Sequence, residues 1–255
     1  MRSMWKKIIL WASLVILVSF VLFVYNEFNG NPVSKYRSEK ALQSYLTSMY
    51  SDNDYRIHEG FYDFKFKEYY FKVTEIGSGT VVAEEVGPET KTPTVQDYSF
   101  TVHGFVSPKV RIDGIRVSRL DHPLMERLGK EAGKDIYQEL QQTVGSLHKV
   151  EVTLEALKEQ FDANVSWDRT LPLDRPYHIF IVLDASDFSA DDVYEAATEI
   201  QSELDELGYK YERVTINANI ISEAAVKDGA ENGYVKYGIG FDKGERMNRK
   251  DVKEF

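Results

Sequence analysis

The sequence predicts an α+β protein: an N-terminal transmembrane helix followed by two small modules of helices packed on antiparallel sheets. Three observations carry this. Residues 8–25 form an unbroken apolar run. Behind it comes a helical pattern and then a group of strand-like segments, the order of an α+β module. At Asp121-His122-Pro123 a second helical region opens and the order restarts. The implied division is 1–29 for the anchor and its flanks, 30–117 for the first module and 118–255 for the second.

The run from Ile8 to Tyr25 holds 18 residues and no charge. As a helix it spans about 27 Å, close to the hydrocarbon thickness of a bilayer. No face of it is polar enough for a soluble core helix; Ser13 and Ser19 can return their hydroxyls to the backbone. Trp5, Trp11 and Tyr25 suit the membrane interfaces. Arg2, Lys6 and Lys7 precede the run, which places the N-terminus in the cytoplasm and the bulk of the chain outside. A cleaved signal peptide has a shorter apolar core and a small-x-small exit. Here the exit is Val24-Tyr25-Asn26-Glu27-Phe28, which is bulky, so an uncleaved cell-membrane anchor is expected, with residues 8–25 in contact with the lipid bilayer.

Composition excludes several functions. The chain has 255 residues and no cysteine, so disulfide scaffolds, cysteine nucleophiles and cysteine-ligated metals are impossible. The formal charge is −10, and beyond residue 26 there are 28 basic against 41 acidic side chains, a charge of −13. Such acidity argues against nucleic acid as a partner. It also predicts repulsion from anionic lipid and wall polymers, so that the exported part stands off the surface.

The elements follow in order. Asn29-Gly30-Asn31-Pro32 is a turn, with Asn31 as cap and Pro32 at the first position of a helix running to Tyr50. Val33, Tyr36, Leu42, Tyr45, Leu46 and Met49 form its apolar face. Strands are expected over Tyr55–Phe66 and Glu68–Ile76, joined tightly at Lys67, then over Thr80–Val86 and Tyr98–Val106, with turns or loops at 77–79 and 87–94. Val110–Val117 reads as a hairpin around Asp113-Gly114. The next helix runs to about Leu147 on a stripe of Leu124, Leu128, Ala132, Ile136, Leu140, Val144 and Leu147. Gly129 and Gly133 within it either weaken it or admit another backbone. Thr153 caps a short helix to Phe161. Tyr177–Leu183 is a strand. Ser189–Leu207 is a helix with a capping-box start and Gly208 closing it. Tyr211–Ile221 and Tyr234–Phe241 are strands, and the charged tail from Asp242 is expected to fray.

The apolar span, followed by NGNPVSKYRSEKALQSYL and then YRIHEGFYDFKFKEYYFKV, resembles the YfjL-like family of uncharacterised bacterial single-pass membrane proteins. A helix followed by aromatic strands also resembles the PepSY-type modules of exported bacterial proteins. The resemblance covers mainly residues 1–75, and it implies no activity and no catalytic residue.

Motifs for chemistry are sparse. No two of His58, His103, His122, His148 and His178 lie within four residues of each other. His58 and His103 fall on strands that could approach, but no metal site and no cofactor is expected. Asp184, Asp187, Asp191 and Asp192 lack the spacing of a calcium loop; carboxylates at a helix start answer the macrodipole. There is no nucleophile elbow and no phosphate-binding loop. The least ordinary feature is aromatic: Tyr55, Phe61, Tyr62, Phe64, Phe66, Tyr69, Tyr70 and Phe71 lie within 17 residues. Neighbours on a strand face opposite sides, so both faces carry rings. Either both are covered, as core and interface, or one is a platform for a partner. Tyr62 and Tyr70 are the candidate binding residues, because a hydroxyl tolerates water; Phe64 and Phe71 are the core candidates. The expected function is a membrane-tethered extracytoplasmic binding or regulatory module, not an enzyme, with a protein or peptide partner outside the membrane. The rival is an enzyme acting on cell-wall or secreted polymers.

Overall fold

A computed structural model describes residues 2–76, 96–221 and 231–255, with side chains described from residue 10 onward. The strand expected over Thr80–Val86, with its flanking turn and loop, lies outside the described residues. The chain divides into two compact units, Met1–Ser118 and Arg119–Phe255. Both are α+β, as the sequence predicts.

The first unit opens with α1 (Arg2–Asn29), a continuous helix of 28 residues. Every side chain from Leu10 to Tyr25 is exposed. Among the described residues this is the one helix long and apolar enough to cross a membrane. Then α2 (Pro32–Met49) begins where expected, with the Asn31 carboxamide accepting from the Val33 N–H at 2.8 Å. Its buried stripe is Ser34, Ser38, Leu42 and Leu46, while Val33, Tyr36 and Met49 of the expected face are exposed. Two serines at four-residue spacing bring the first half of the helix close to the sheet; bulky apolar residues there would hold it away.

Among the described residues five strands form the first sheet: β1 (Asp54–Ile57), β2 (Phe61–Asp63), β3 (Glu68–Ile76), β4 (Gln96–His103) and β5 (Lys109–Ile112). The order is β1-β3-β4-β5, with β2 also on β3, and every pair is antiparallel. The single strand expected over Tyr55–Phe66 is therefore broken. β1 pairs the far half of β3 and β2 the near half, with His58-Glu59-Gly60 between them. The break lets the Phe71 ring lie against Gly60, where an added Cβ would come within 2.4 Å of it. Tyr69, Phe71 and Val73 alternate on the inner face with Tyr98, Phe100 and Val102 opposite, and all are buried.

The hairpin expected at Asp113-Gly114 is a helix start instead, α3 (Gly114–Ser118). One Asp113 carboxylate oxygen accepts from the N–H groups of Ile115 and Arg116 at 3.0 and 3.1 Å. The other accepts from the hydroxyls of Tyr45 and Tyr50 at 2.8 and 2.5 Å. An aspartate so used is a helix cap, and the local hairpin signal loses to it.

In the second unit α4 (His122–Leu140) is capped by Asp121 and buries the predicted stripe. It ends earlier than expected, though Val144 and Leu147 remain in the core. Gly129 and Gly133 admit a backbone: a Cβ at either would stand 2.6 and 2.9 Å from the carbonyl oxygens of Val152 and Val150. Those residues belong to β6 (Leu147–Thr153), so Thr153 ends a strand and caps no helix. Then come β7 (Tyr177–Asp184), α5 (Ala190–Glu206), β8 (Tyr211–Ile220), β9 (Tyr234–Asp242) and β10 (Lys253–Glu254). The sheet order is β10-β9-β8-β7-β6. Among the described residues only β7 and β8 run parallel in this sheet, with α5 as the connection between them; the other pairs are antiparallel. Ser189 and Asp192 form the expected capping box, and Gly208 closes the helix at φ 76°.

The second sheet carries an irregularity between β8 and β9 and a fixed tail. The register shifts between Ala218 and Asn219, which turns Asn219 inward and leaves Ile220 exposed. The tail does not fray: Lys253 pairs with Gly238 and Glu254 with Tyr237, and Arg249 pairs with Asp191.

Candidate functional site

Helices α1 and α2 meet at Gly30-Asn31, and two tyrosines close over the joint. The Tyr69 hydroxyl, on a ring 5% exposed, accepts from the Asn31 N–H at 2.9 Å and donates to the Asn31 carbonyl at 3.0 Å. The Ser34 hydroxyl lies 2.7 Å from it. Tyr62 leans on Tyr69 with ring centroids 5.0 Å apart. Gly30 has φ 74°, and a Cβ there would fall 2.5 Å from the Tyr69 hydroxyl and 2.8 Å from the Tyr62 ring. Glycine is thus required twice, by conformation and by space. Around the joint, Glu27, Tyr62, Lys67, His103 and Phe105 border an open cleft of about 400 Å³.

The last turn of α1 rests on the β2–β3 turn. Phe28 and Phe64 stand 5.3 Å apart, and Lys67 pairs with Glu27 at 3.2 Å. Lys67 itself is left-handed at φ 55°. The Asp63 carboxylate accepts from the N–H groups of Lys65 and Phe66 at 2.8 and 3.2 Å, which folds the turn. This arrangement exposes Phe64, contrary to its expected place in the core; Phe71, the other core candidate, is buried. Phe66 and Phe105 are also exposed.

Tyr62 and Tyr70 do not form one site. Tyr62 is opposite Tyr69 in the β2–β3 pairing, on the inner face; Tyr70 is opposite Phe61, on the outer face. Tyr70 and Phe61 stack at 5.1 Å with planes only 7° apart. Both candidate tyrosines are half-buried. Burial first, and then Glu27, raises the Tyr62 pKa; burial first, and then Glu68, raises that of Tyr70. Both remain neutral phenols that can donate a hydrogen bond.

His58 and His103 do not come together, and three of the aspartates near α5 make local contacts. His58 lies 2.7 Å from the Thr74 hydroxyl, whereas His103 is opposite Glu68. Six residues of β3 separate those positions, about 20 Å. No group of three metal-ligating side chains comes together among the described residues. Of the aspartates near α5, Asp184 accepts from Ser186, Asp191 pairs with Arg249, and Asp192 caps the helix.

The second unit holds a polar network that the sequence reading missed. Asp135 on α4 accepts from the Trp167 indole at 3.2 Å, from Arg169 Nε at 3.2 Å and from the Tyr209 hydroxyl at 2.8 Å. Arg169 also reaches Glu139, and its guanidinium lies 4.8 Å from the Tyr209 ring centre. Burial raises the Asp135 pKa, but the hydrogen bonds from Arg169, Tyr209 and Trp167 outweigh it and the net direction is down. Burial, then Asp135, pushes the Tyr209 hydroxyl up. A cleft of about 510 Å³ beside this network is lined by Glu131, Lys134, Asp135, Trp167 and Arg169 among others. Glu131, Asp135 and Glu139 recur at four-residue spacing, an acidic stripe on one helix face that was legible in the sequence.

Comparison with known proteins adds the following. The YfjL-like N-terminal domain matches residues 5–114, and the YfjL-like C-terminal domain matches residues 131–254. An uncharacterised Bacillus subtilis (strain 168) protein, YfjL, is 28% identical over 250 residues, covering 98% of this chain and 98% of its own. No solved structure matches. With the two domains matched in order along both of its compact units, the chain belongs to the YfjL-like family.

Proposed function

We propose that this is a single-pass membrane protein with its N-terminus in the cytoplasm, whose two α+β units act outside the membrane as a non-catalytic binding or regulatory module. The observation that carries the reading is α1. Its apolar side chains from Leu10 to Tyr25 are all exposed, and a run of that length is stable only if lipid covers it. Arg2, Lys6 and Lys7 at its start set the orientation. The PepSY-type resemblance fits a helix packed on antiparallel strands. The contact face is the outer side of the first sheet around Tyr70 and Phe61, whose flat stack offers an apolar surface with a hydroxyl at one edge. A protein or peptide partner suits such a surface.

Protease added to intact cells or spheroplasts should digest both units while an N-terminal tag stays protected and uncleaved from α1. Protection of Phe255 would overturn the topology.

The enzymatic reading has one observation in its favour, the charged cleft beside Asp135. Its central carboxylate is already engaged by three donor side chains and is held ionised below its ordinary range, which makes it a poor proton carrier at neutral pH. The network reads better as a staple between α4 and the segment around Trp167. Turnover of a wall or secreted polymer that Asp135→Asn abolishes without unfolding the protein would reverse this preference.

A further inference from the structure

We propose that the β2–β3 turn and the β4–β5 loop form a second membrane contact, seating the first unit in the lipid interface beside its own anchor. The inference rests on the reading of α1 as a membrane span.

The geometry begins at Tyr25, where the charge-free run ends. Phe28 is three residues further on, about 4.5 Å along the helix axis. The headgroup zone on each side of the hydrocarbon core is roughly 5–7 Å thick. Phe28 therefore lies in that zone, and Phe64 lies there with it, since their rings touch. The turn cannot swing away freely. Lys67 is paired with Glu27, and Gly30 is clamped beneath Tyr62 and Tyr69.

The β4–β5 loop reaches the same place, since Phe105 borders one cleft with Asn26, Glu27 and Lys67, and the side chains there suit an interface. Phe64, Phe66 and Phe105 are each about half exposed, at 55%, 48% and 55%, and Val106 is 81% exposed. Large exposed rings at a loop tip are unusual in a soluble unit unless something covers them. Lys65 stands 5.4 Å from the Phe66 ring and Arg37 5.9 Å from that of Phe105. An aromatic body with a cation beside it is the composition favoured between acyl chains and phosphate. The net charge of −13 beyond residue 26 predicts that the exported part stands off from anionic lipid. This edge is the exception, because the cations and rings gather where α1 leaves the bilayer.

The absence of native cysteine makes the test direct. The full chain is reconstituted in phosphatidylcholine vesicles with and without phosphatidylglycerol. Single cysteines at Leu17, Met49 or Phe66 carry an environment-sensitive fluorophore, and circular dichroism checks folding. Met49 is the control: it is exposed and lies at the far end of α2, about 26 Å from Pro32. Nitroxide lipids labelled near the headgroup should quench residue 66 several-fold more than residue 49, and deep nitroxides should quench residue 17. If residue 17 is quenched but 66 behaves like 49, the anchor stands and the second contact does not exist. A label at 66 that is shielded from aqueous iodide yet unreached by lipid nitroxide is covered by protein, which also overturns the proposal. Equal strong quenching at 49 and 66 would mean indiscriminate collapse onto lipid and would refute this edge as the contact. Failure to quench residue 17 would sink the anchor and this inference together. Phe64→Ser with Phe105→Ser, read at 66, should lower the headgroup quenching; no change would exclude those rings.

Discussion

The Tyr69 hydroxyl and the Asn31 peptide bond each other in both directions, donating at 3.0 Å and accepting at 2.9 Å. They are 38 residues apart, and the contact fastens the start of α2 to β3, an interior strand of the first sheet. Tyr69→Phe keeps the ring and removes the hydroxyl. It leaves the Asn31 N–H without its partner, and losing a buried hydrogen bond in this way costs about 1–3 kcal/mol. Denaturant titration of the full chain in detergent should show that loss, with faster amide exchange at residues 31–35. An unchanged midpoint would mean that the joint is held by ring packing alone.

Gly133→Ala separates two physical effects of opposite sign. Helix propensity alone predicts a gain of about 1 kcal/mol. The new methyl group would stand 2.9 Å from the Val150 carbonyl oxygen, and that atom is β6 backbone and cannot rotate away. Displacing packed structure costs about 1–3 kcal/mol, so the variant should melt lower than the native chain. A higher melting temperature would show that β6 yields at little cost. Gly145, where an added Cβ meets nothing within 4 Å, is the control position.

Asp135 makes stability depend on acid. Its folded pKa is lowered, so its contribution is complete above its unfolded value of about 3.9 and is lost as pH falls through the folded value. Asp135→Asn should destabilise the second unit at neutral pH by about 1–3 kcal/mol, the worth of hydrogen bonds to a charged group, because the carboxylate is only partly buried. The difference between native and variant should shrink below about pH 4. Parallel melting curves at pH 7 and pH 3 test this. A constant difference across the range would assign the loss to packing.

Much of the fold was legible because it was written in local chemistry. Asn31-Pro32, Asp121 and the Ser189–Asp192 box mark helix starts that the backbone uses. Alternation in Tyr69, Phe71 and Val73 marks the inner face of β3. The misreadings came where a distant partner decided. Asp113 looks like a hairpin aspartate until Tyr45 and Tyr50 reach it. Val150 and Val152 become a strand because Gly129 and Gly133 clear room for their carbonyls. Phe64 leaves the core because the last turn of α1 offers Phe28 as its neighbour. The aromatic cluster was visible in composition, but its division between two faces depends on register, and a shift of one residue would exchange the faces.

That register yields the last prediction, which separates the two candidate tyrosines. Tyr62 belongs to the joint, with its ring over Gly30 and against Tyr69. Tyr70 belongs to the open face and stacks only partly covered on Phe61. Tyr62→Ala should therefore destabilise the first unit by about 1.5–3 kcal/mol, because a half-buried ring and its pairing with Tyr69 are lost together. Tyr70→Ala should lose about 0.5–1.5 kcal/mol, the worth of an aromatic pair. Function should divide the other way. On the proposed reading, a photocrosslinking amino acid at position 70 of the full chain should give adducts to an extracytoplasmic protein in cells, and one at position 62 should give none. Phe61→Ala should weaken the adduct at 70, because the stack fixes the ring that the partner meets. Adducts at 62 alone would move the contact to the joint. No adduct at either position would place it on another surface, where Asp187 on the loop before α5 and Asp191 in the first turn of α5 are the next residues to substitute.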